Sequence, residues 1–187
     1  MRLFVALGFP AEVRRKLSEL IARLKPRFPK ARWVRPEGMH VTLKFIGFVD
    51  ETKAESIAGA LKDVRVPQPV GVTFRGVGFF PNERRPRVVW CGVEGSPNLA
   101  ELAGEIERAL MPLGIEAESR SYAPHLTLAR LNSPEGANAL VGATNEWRAE
   151  IFGSARETEF HLFESILKLA GAEYKKLQTY PFVKRAA

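Results

Sequence analysis

Two copies of one four-letter pattern constrain this chain more than any other feature. It holds three histidines, and two of them open the pattern His-x-Thr-Leu, in HVTLKF at residues 40–45 and in HLTLAR at 125–130. The copies lie 85 residues apart, and the same shift lays Arg2-Leu-Phe-Val on Arg87-Val-Val-Trp. It also lays the segment after Pro10 on the segment after Pro97, and brings Asp50 near Ser133-Pro134. Strand, helix, motif strand and helix therefore recur in order, in units of roughly 1–80 and 87–169 within one domain spanning 1–187. Two copies are too few for a solenoid, which needs several repeats to bury its faces. A duplicated fold with pseudo-twofold related halves, each supplying one motif strand, accounts for the spacing.

Local patterns fill in this outline. The apolar run Arg2 to Leu7 reads as a buried strand,. Pro10 suits the first turn of a helix in which Val13, Leu17, Leu20, Ile21 and Leu24 recur at helical spacing,. A short strand is expected at Arg32 to Val34. Asp50 is placed to cap a helix with Ala54, Ile57, Ala58 and Leu61 on one face, and Pro67-Gln68-Pro69 ends that unit,. Strands at 72–80 and 87–93 flank a hairpin connection, Pro81 to Pro86,. Ser96-Pro97 opens a helix with a Leu99, Leu102, Ile106, Leu110 stripe, and Ser133-Pro134 starts another,. Strands are expected near Ile151, at Phe160 to Leu169 and at Tyr174 to Tyr180. Strands and helices mix without strict alternation, which is the pattern of an α+β fold rather than a parallel sheet.

Composition narrows the chemistry. Twenty-eight Lys and Arg against 21 Asp and Glu leave a net charge of +7 and a pI near 9.8. Such a surface attracts anions, and nucleic acid is the commonest polyanion a protein meets. A single cysteine, Cys91 in the apolar run RVVWCGV, excludes a disulfide framework and a thiolate metal cluster,. No apolar stretch reaches the length of a membrane span, and the N-terminal MRLFVALGFP lacks the features of a signal peptide, so a cytoplasmic protein is expected,.

The motif itself implies a site. Alternate residues of a strand share a face, so His40 and Thr42 point one way, with Val41 and Leu43 behind them,. His125 and Thr127 do the same, with Leu126 and Leu128 behind. Two imidazoles facing across a cleft can divide the work of phosphoester cleavage, one taking a proton and the other giving one. An imidazole pKa of about 6.5 leaves both forms accessible near neutral pH. The two hydroxyls can donate to the non-bridging phosphoryl oxygens. No metal or other cofactor is expected, because the histidines lie far apart with no acidic or thiol residue at ligand spacing,.

HVTLKF with HLTLAR resembles the paired His-x-Thr signature of the 2H phosphoesterase superfamily. Within it, the chain resembles the RNA 2′,3′-cyclic phosphodiesterases, also called 2′-5′ RNA ligase-like proteins. The likeness extends over MRLFVAL, the helix after Pro10, VGFFP before the central hairpin and the late run LFESILKLAGAEYKKL. The resemblance implies a bilobal fold of two mainly antiparallel sheets flanked by helices, with the active site between the lobes. It implies hydrolysis of a terminal RNA 2′,3′-cyclic phosphate to a 2′-phosphate, by a hydrolase that acts on RNA ends or small cyclic nucleotides as a monomer. It makes His40 the proton donor to the departing 3′-oxygen, His125 the acceptor that activates water, and Thr42 and Thr127 the phosphate contacts.

Beyond the shared letters the copies diverge. Lys44 has the parity of His40 and is expected to face the cleft if its strand stays regular; its counterpart is Ala129. Phe45 and Arg130 correspond and have the opposite parity, so either needs a twist, a bulge or a strand end to reach substrate,. As a phosphate contact, Lys44 competes with a solvated lysine, and Arg130 with a surface ion pair. Tyr122 is placed either to stack a base or to pack in the core. His161 has no threonine two residues on and reads as structural, and Arg84, Arg85 and Arg87 form a basic hairpin that steers RNA or is merely solvated. Two other functions stay open at this point: an RNA-end or nucleotide-binding module without catalysis, and 2′-5′ RNA ligation as the reverse chemistry.

Overall fold

The computed structural model describes residues 1–66, 69–133, 135–168 and 171–182. Strand β1 (Arg2–Leu7) leads to α1 (Ala11–Leu24), β2 (Arg32–Trp33), β3 (Val41–Phe48) and α2 (Glu51–Leu61). Next come β4 (Val70–Phe80), β5 (Val88–Gly95), α3 (Pro97–Leu110), β6 (His125–Arg130) and α4 (Ala137–Ala143). Strands β7 (Ile151–Glu157), β8 (Glu159–Lys168) and β9 (Gly171–Pro181) complete the chain. The α+β expectation holds: one sheet runs β3-β1-β8-β9, the other β2-β6-β5-β4-β7, and every pairing is antiparallel.

The strand order shows how the repeat is built. In each sheet the motif strand lies at or next to one edge and pairs with the strand that opens its repeat, β3 with β1 and β6 with β5. The order β3-β1-β8-β9 then parallels β6-β5-β4-β7. Strand β4, from the first sequence unit, therefore sits in the second sheet, and the late strands β8 and β9 complete the first. The helices cross over as well: α1 packs on β7 of the second sheet, and α3 packs on β3 of the first. Gly153 admits this crossing, because a Cβ there would lie 2.7 Å from Val13 Cγ2. The two lobes are thus laced together by their own helices.

Helix stripes fall where the spacing places them. Val13, Leu17, Leu20, Ile21 and Leu24 of α1 are buried, as are Leu99, Leu102, Ile106 and Leu110 of α3. The Asp50 carboxylate accepts a hydrogen bond from the Lys53 amide at 2.7 Å and caps α2, an interaction of about 1 kcal/mol,. One helix start differs from the sequence reading. Helix α4 begins at Ala137 after Gly136, whereas the Ser133 hydroxyl accepts from the Glu135 amide ahead of it. Pro67, Gln68, Pro134 and Leu169, where the sequence places a unit boundary, a helix start and a strand end, lie outside the described residues. In the hairpin between β4 and β5 the Asn82 side chain accepts from the amides of Arg84 and Arg85, which folds the turn on itself,.

Candidate active site

The two motif strands share an irregularity at the same place. Opposite β1, Thr42 faces Ala6 and Lys44 faces Val5, so Leu43 has no partner in the ladder. Opposite β5, Thr127 faces Trp90 and Ala129 faces Val89, so Leu128 is the unpaired residue. Such a bulge inserts one residue and inverts the alternation beyond it. Both strands show it in their burial: the alternation breaks at the consecutive buried pairs Leu43-Lys44 and Leu128-Ala129, before exposed Phe45 and Arg130.

The bulges decide what the cleft contains. Partners directly opposite in a ladder share a face, so Thr42 and Phe45 lie on the face of Ala6 and Phe4,. Likewise His125, Thr127 and Arg130 lie on the face of Gly92, Trp90 and Val88. Arg130 and Phe45 thus occupy equivalent positions beside the two threonines, a guanidinium on one lobe and a phenyl ring on the other. This corrects the geometry expected of Lys44, which rested on a regular strand: the bulge turns it to the side of Val5, where it is 3% exposed and ion-paired although it borders the cavity that Thr42 lines.

Lys44 is instead held by the second half of the chain. Its ammonium donates to Glu107 Oε1 at 2.8 Å and to the Glu116 carbonyl at 2.7 Å, and Glu118 Oε1 lies 3.9 Å away. The same Glu107 oxygen accepts from the Glu118 amide at 2.6 Å. The lysine partner holds the Glu107 carboxyl below its ordinary range, with the Glu118 amide adding to the effect. A few residues on, the Tyr122 hydroxyl donates to the Thr42 carbonyl at 3.0 Å, and burial pushes its pKa up. The segment that ends at His125 is therefore tied twice to the strand carrying Thr42. Tyr122 uses its polar end to join the two motifs, while its ring lines the cleft cavity.

The histidines are held alike and housed differently. His125 Nδ1 lies 2.8 Å from the Ala123 carbonyl, two residues back. A carbonyl only accepts, so Nδ1 carries the hydrogen and Nε2 keeps its lone pair. His40 makes the equivalent bond to the Gly38 backbone, also two residues back. Its ring lies 4.4 Å from Phe4 and 4.9 Å from Tyr174, with Phe163 stacked behind at 6.4 Å. This apolar housing lowers the His40 pKa to about 4; the Gly38 bond opposes the shift, and the charges of Arg130 and His125 add to it. The last two contributions come from the other lobe, so the fold brings the two motifs within electrostatic reach. His125 meets Phe80 edge-on at 5.0 Å, and Phe80 packs on Trp90 at 5.1 Å. The Trp90 indole lies over Gly78, where any Cβ would collide with it.

Beside these groups is a cavity of about 890 Å³ whose lining includes Thr42, Phe45, Phe80, Arg87, Tyr122 and His125. Among the described residues no cluster of three His, Cys, Asp or Glu side chains has metal-binding geometry. His161 is buried on β8, with Nδ1 3.0 Å from the Thr179 hydroxyl, and Cys91 is fully buried with its thiol pKa raised to about 12. Arg84 and Arg85 stand exposed on the hairpin. No helix among the described residues is long and apolar enough to cross a membrane.

A family model described as LigT-like phosphoesterase matches the chain twice, over residues 7–90 and 93–171, with one His-x-Thr motif in each match. The chain belongs to the LigT-like phosphoesterase family. Two of its relatives are named RNA 2′,3′-cyclic phosphodiesterase. That of Archaeoglobus fulgidus is 35% identical over 96% of this chain and 99% of its own length. That of Methanothermobacter thermautotrophicus is 33% identical over 96% and 98%. Among solved structures, a Thermus thermophilus protein superposes with a TM-score of 0.81 at 29% identity, covering 97% of this chain and 98% of the other. Escherichia coli LigT complexed with 3′-AMP does so with a TM-score of 0.75 at 26% identity, covering 97% of each.

Several residues that shape this LigT-like site carry no local signal. Phe4, Phe163 and Tyr174 enclose His40 from three different strands, and Glu107 reaches Lys44 across 63 residues of sequence. Antiparallel pairing brings the three rings together, and the packing of α3 on β3 brings Glu107 to Lys44.

Two consequences can be measured. If Lys44 served the substrate phosphate, freeing it by Glu107→Gln would preserve or improve turnover. As a tie between the motifs, Lys44→Met and Glu107→Gln should both lower kcat by about tenfold or more, and the double variant should be no worse than the poorer single one. Glu107→Gln should also be the less stable single variant, near the lower end of about 3–5 kcal/mol, because it leaves a buried ammonium without its carboxylate. Kinetics and chemical denaturation of the three proteins decide this. The second consequence concerns acid. Unfolded His40 takes a proton near pH 6.5, whereas the folded protein resists until about pH 4,. Stability is therefore lost as pH falls through this window, by at most about 3 kcal/mol from this group. His40→Phe, which suits the aromatic housing, should show a smaller drop in Tm between pH 7.5 and 4.5 than the parent protein.

Proposed function

We propose that this chain is a metal-independent RNA 2′,3′-cyclic phosphodiesterase that opens the terminal cyclic phosphate to a 2′-phosphomonoester. What supports the reading is that Thr42 of the first motif and His125 of the second line one cavity, that His125 and Arg130 lie within electrostatic reach of His40, and that each histidine is oriented by a carbonyl two residues before it. Family membership and the names of the relatives point the same way. Both lobes form one catalytic unit, because each supplies one imidazole.

In this mechanism the substrate phosphate lies between the threonines. Their hydroxyls donate to its non-bridging oxygens, and Arg130 adds positive charge on one side. His125, with its hydrogen fixed on Nδ1 by Ala123, offers the Nε2 lone pair to a water molecule and takes its proton as oxygen attacks phosphorus,. The bond to the 3′-oxygen breaks, and His40 delivers a proton to that departing oxygen. In the free protein His40 is neutral at pH 7. The proton it gives is therefore taken up from solvent as the substrate binds: a phosphodiester anion offsets the Arg130 charge that disfavours the His40 imidazolium in the free protein,. His40 also sits against the aromatic housing that raises the cost of its charge, so it releases the proton readily to an alkoxide. The reading includes an RNA or small cyclic-nucleotide substrate, a monomeric protein and a cytoplasmic setting.

Single-turnover assays on an RNA ending in a cyclic phosphate test this directly. His40→Ala and His125→Ala should each lower the rate at least about a thousandfold, in line with the loss of one acid–base group from a concerted pair, while far-UV circular dichroism stays that of the parent. Thr42→Val and Thr127→Val should cost about tenfold to a hundredfold each. EDTA should leave the parent rate unchanged. Full activity in either histidine variant, or a strict need for an added metal, would overturn the mechanism.

A further inference from the structure

Two large aromatic side chains stand out of this protein on the strand that carries the first motif. Phe45 is 45% exposed and Phe48 is 78% exposed. Single exposed apolar residues are ordinary on any surface. These two are set apart by where the ladder puts them. Phe45 lies opposite Phe4 and Phe48 lies opposite Arg2, so both share the face of Thr42 and of the Phe4 ring that lies against His40. A second bulge makes this possible: Ile46 has no partner in the ladder, and Gly47 takes φ +90°, a backbone region that favours glycine,. The two phenyl rings are therefore two ladder steps apart on one face, about 7 Å along the strand.

Three further observations say what fits there. Phe45 lines the cavity that contains Thr42, Tyr122 and His125, and it also lines a neighbouring cavity of about 820 Å³ with Phe48 and Lys53. The aromatic face is thus continuous with the catalytic cleft. The Arg2 guanidinium lies over the Phe45 ring, 5.0 Å from its centre, and so places a cation beside the same face. The protein as a whole carries a net charge of +7. Acidic groups border the outer cavity too, namely Asp50, Glu116 and Glu118. Asp50 is engaged in capping α2, and Glu118 lies by Lys44. A ligand on this face therefore meets the two aromatic rings and the Arg2 guanidinium, with Lys53 and these carboxylates on the border of the outer cavity.

We propose that Phe45 and Phe48 form a stacking platform for the bases of single-stranded RNA that precede the terminal cyclic phosphate, with the backbone running on the Arg2 side. The proposal rests on the phosphodiesterase reading for its direction, because the cleft fixes where the RNA end lies. Stacking on aromatic rings is tolerant of sequence, since every base has a π-face. The platform makes the preferred substrate an oligonucleotide rather than a mononucleotide, and gives it little base specificity upstream.

The test compares Phe48→Ala, Phe48→Trp and the parent protein on two substrates, a short single-stranded RNA ending in a 2′,3′-cyclic phosphate and 2′,3′-cyclic CMP. Phe48→Ala should lower kcat/KM on the RNA by about tenfold or more, chiefly through KM. It should leave cyclic CMP within about twofold, and Phe48→Trp should restore the RNA value. Equal rates for Phe48→Ala and the parent on RNA would overturn the proposal, as would an equal loss on both substrates. Failure of the parent on both substrates would instead overturn the phosphodiesterase reading. In that case fluorescence anisotropy with a labelled RNA ending in a 2′-phosphate tests the platform alone. Phe48→Ala should bind about tenfold more weakly, and equal affinity would contradict it.

Discussion

One extra residue in each motif strand decides what this molecule can do. Leu43 and Leu128 have no partner across their ladders, and beyond each the side chains change faces. Without those bulges, Lys44 and Ala129 would stand beside the threonines while Phe45 and Arg130 would turn towards the core. With them, Arg130 joins His125 and Thr127, and Lys44 is freed to reach the second half of the chain. The site and the tie that aligns its halves thus come from the same backbone irregularity.

The alignment matters because acid–base catalysis by two groups on different lobes is only as good as their spacing. Misplacement by an ångström can cost about a hundredfold in rate. Here the approach to His125 is fixed to the first motif by the Lys44–Glu107 pair and by the hydroxyl of Tyr122. Crossed helices add to this, since α1 and α3 each pack on the sheet of the opposite lobe. The electrostatics depend on the same closeness. His40 is kept neutral first by its aromatic housing, and Arg130 and His125 reinforce this from across the cleft.

Much of this is legible in the sequence, for reasons that are local. The stripes of α1 and α3, the Asp50 cap and the His-x-Thr faces follow from spacing within a few residues, and periodicity reports such features well. The duplication is legible because the offset between copies is nearly constant. In the ladders the opening strands align one residue tighter than that offset, with Leu7 opposite Val41 and Cys91 opposite Leu126. What cannot be read depends on contacts between distant segments. A bulge leaves no mark in HVTLKF, so strand parity puts Lys44 in the cleft; its burial follows from pairing with β1 and from Glu107. The exchange of β4 and of the helices between lobes is likewise a property of the assembled sheets. Of its two expected roles Tyr122 takes core packing, and its hydroxyl adds a bond that only the position of the Thr42 carbonyl explains.

The central claim is that the two histidines act on opposite sides of one phosphorus, with His40 protonating the departing 3′-oxygen. The identity of the phosphomonoester tests this most directly. Phosphorus-31 NMR of the product from a cyclic-phosphate-ended RNA, with EDTA present, should show the 2′-phosphate as the sole monoester. A 3′-phosphate product would mean that the 2′-oxygen departs instead, and would contradict the assignment of donor and acceptor across the cleft.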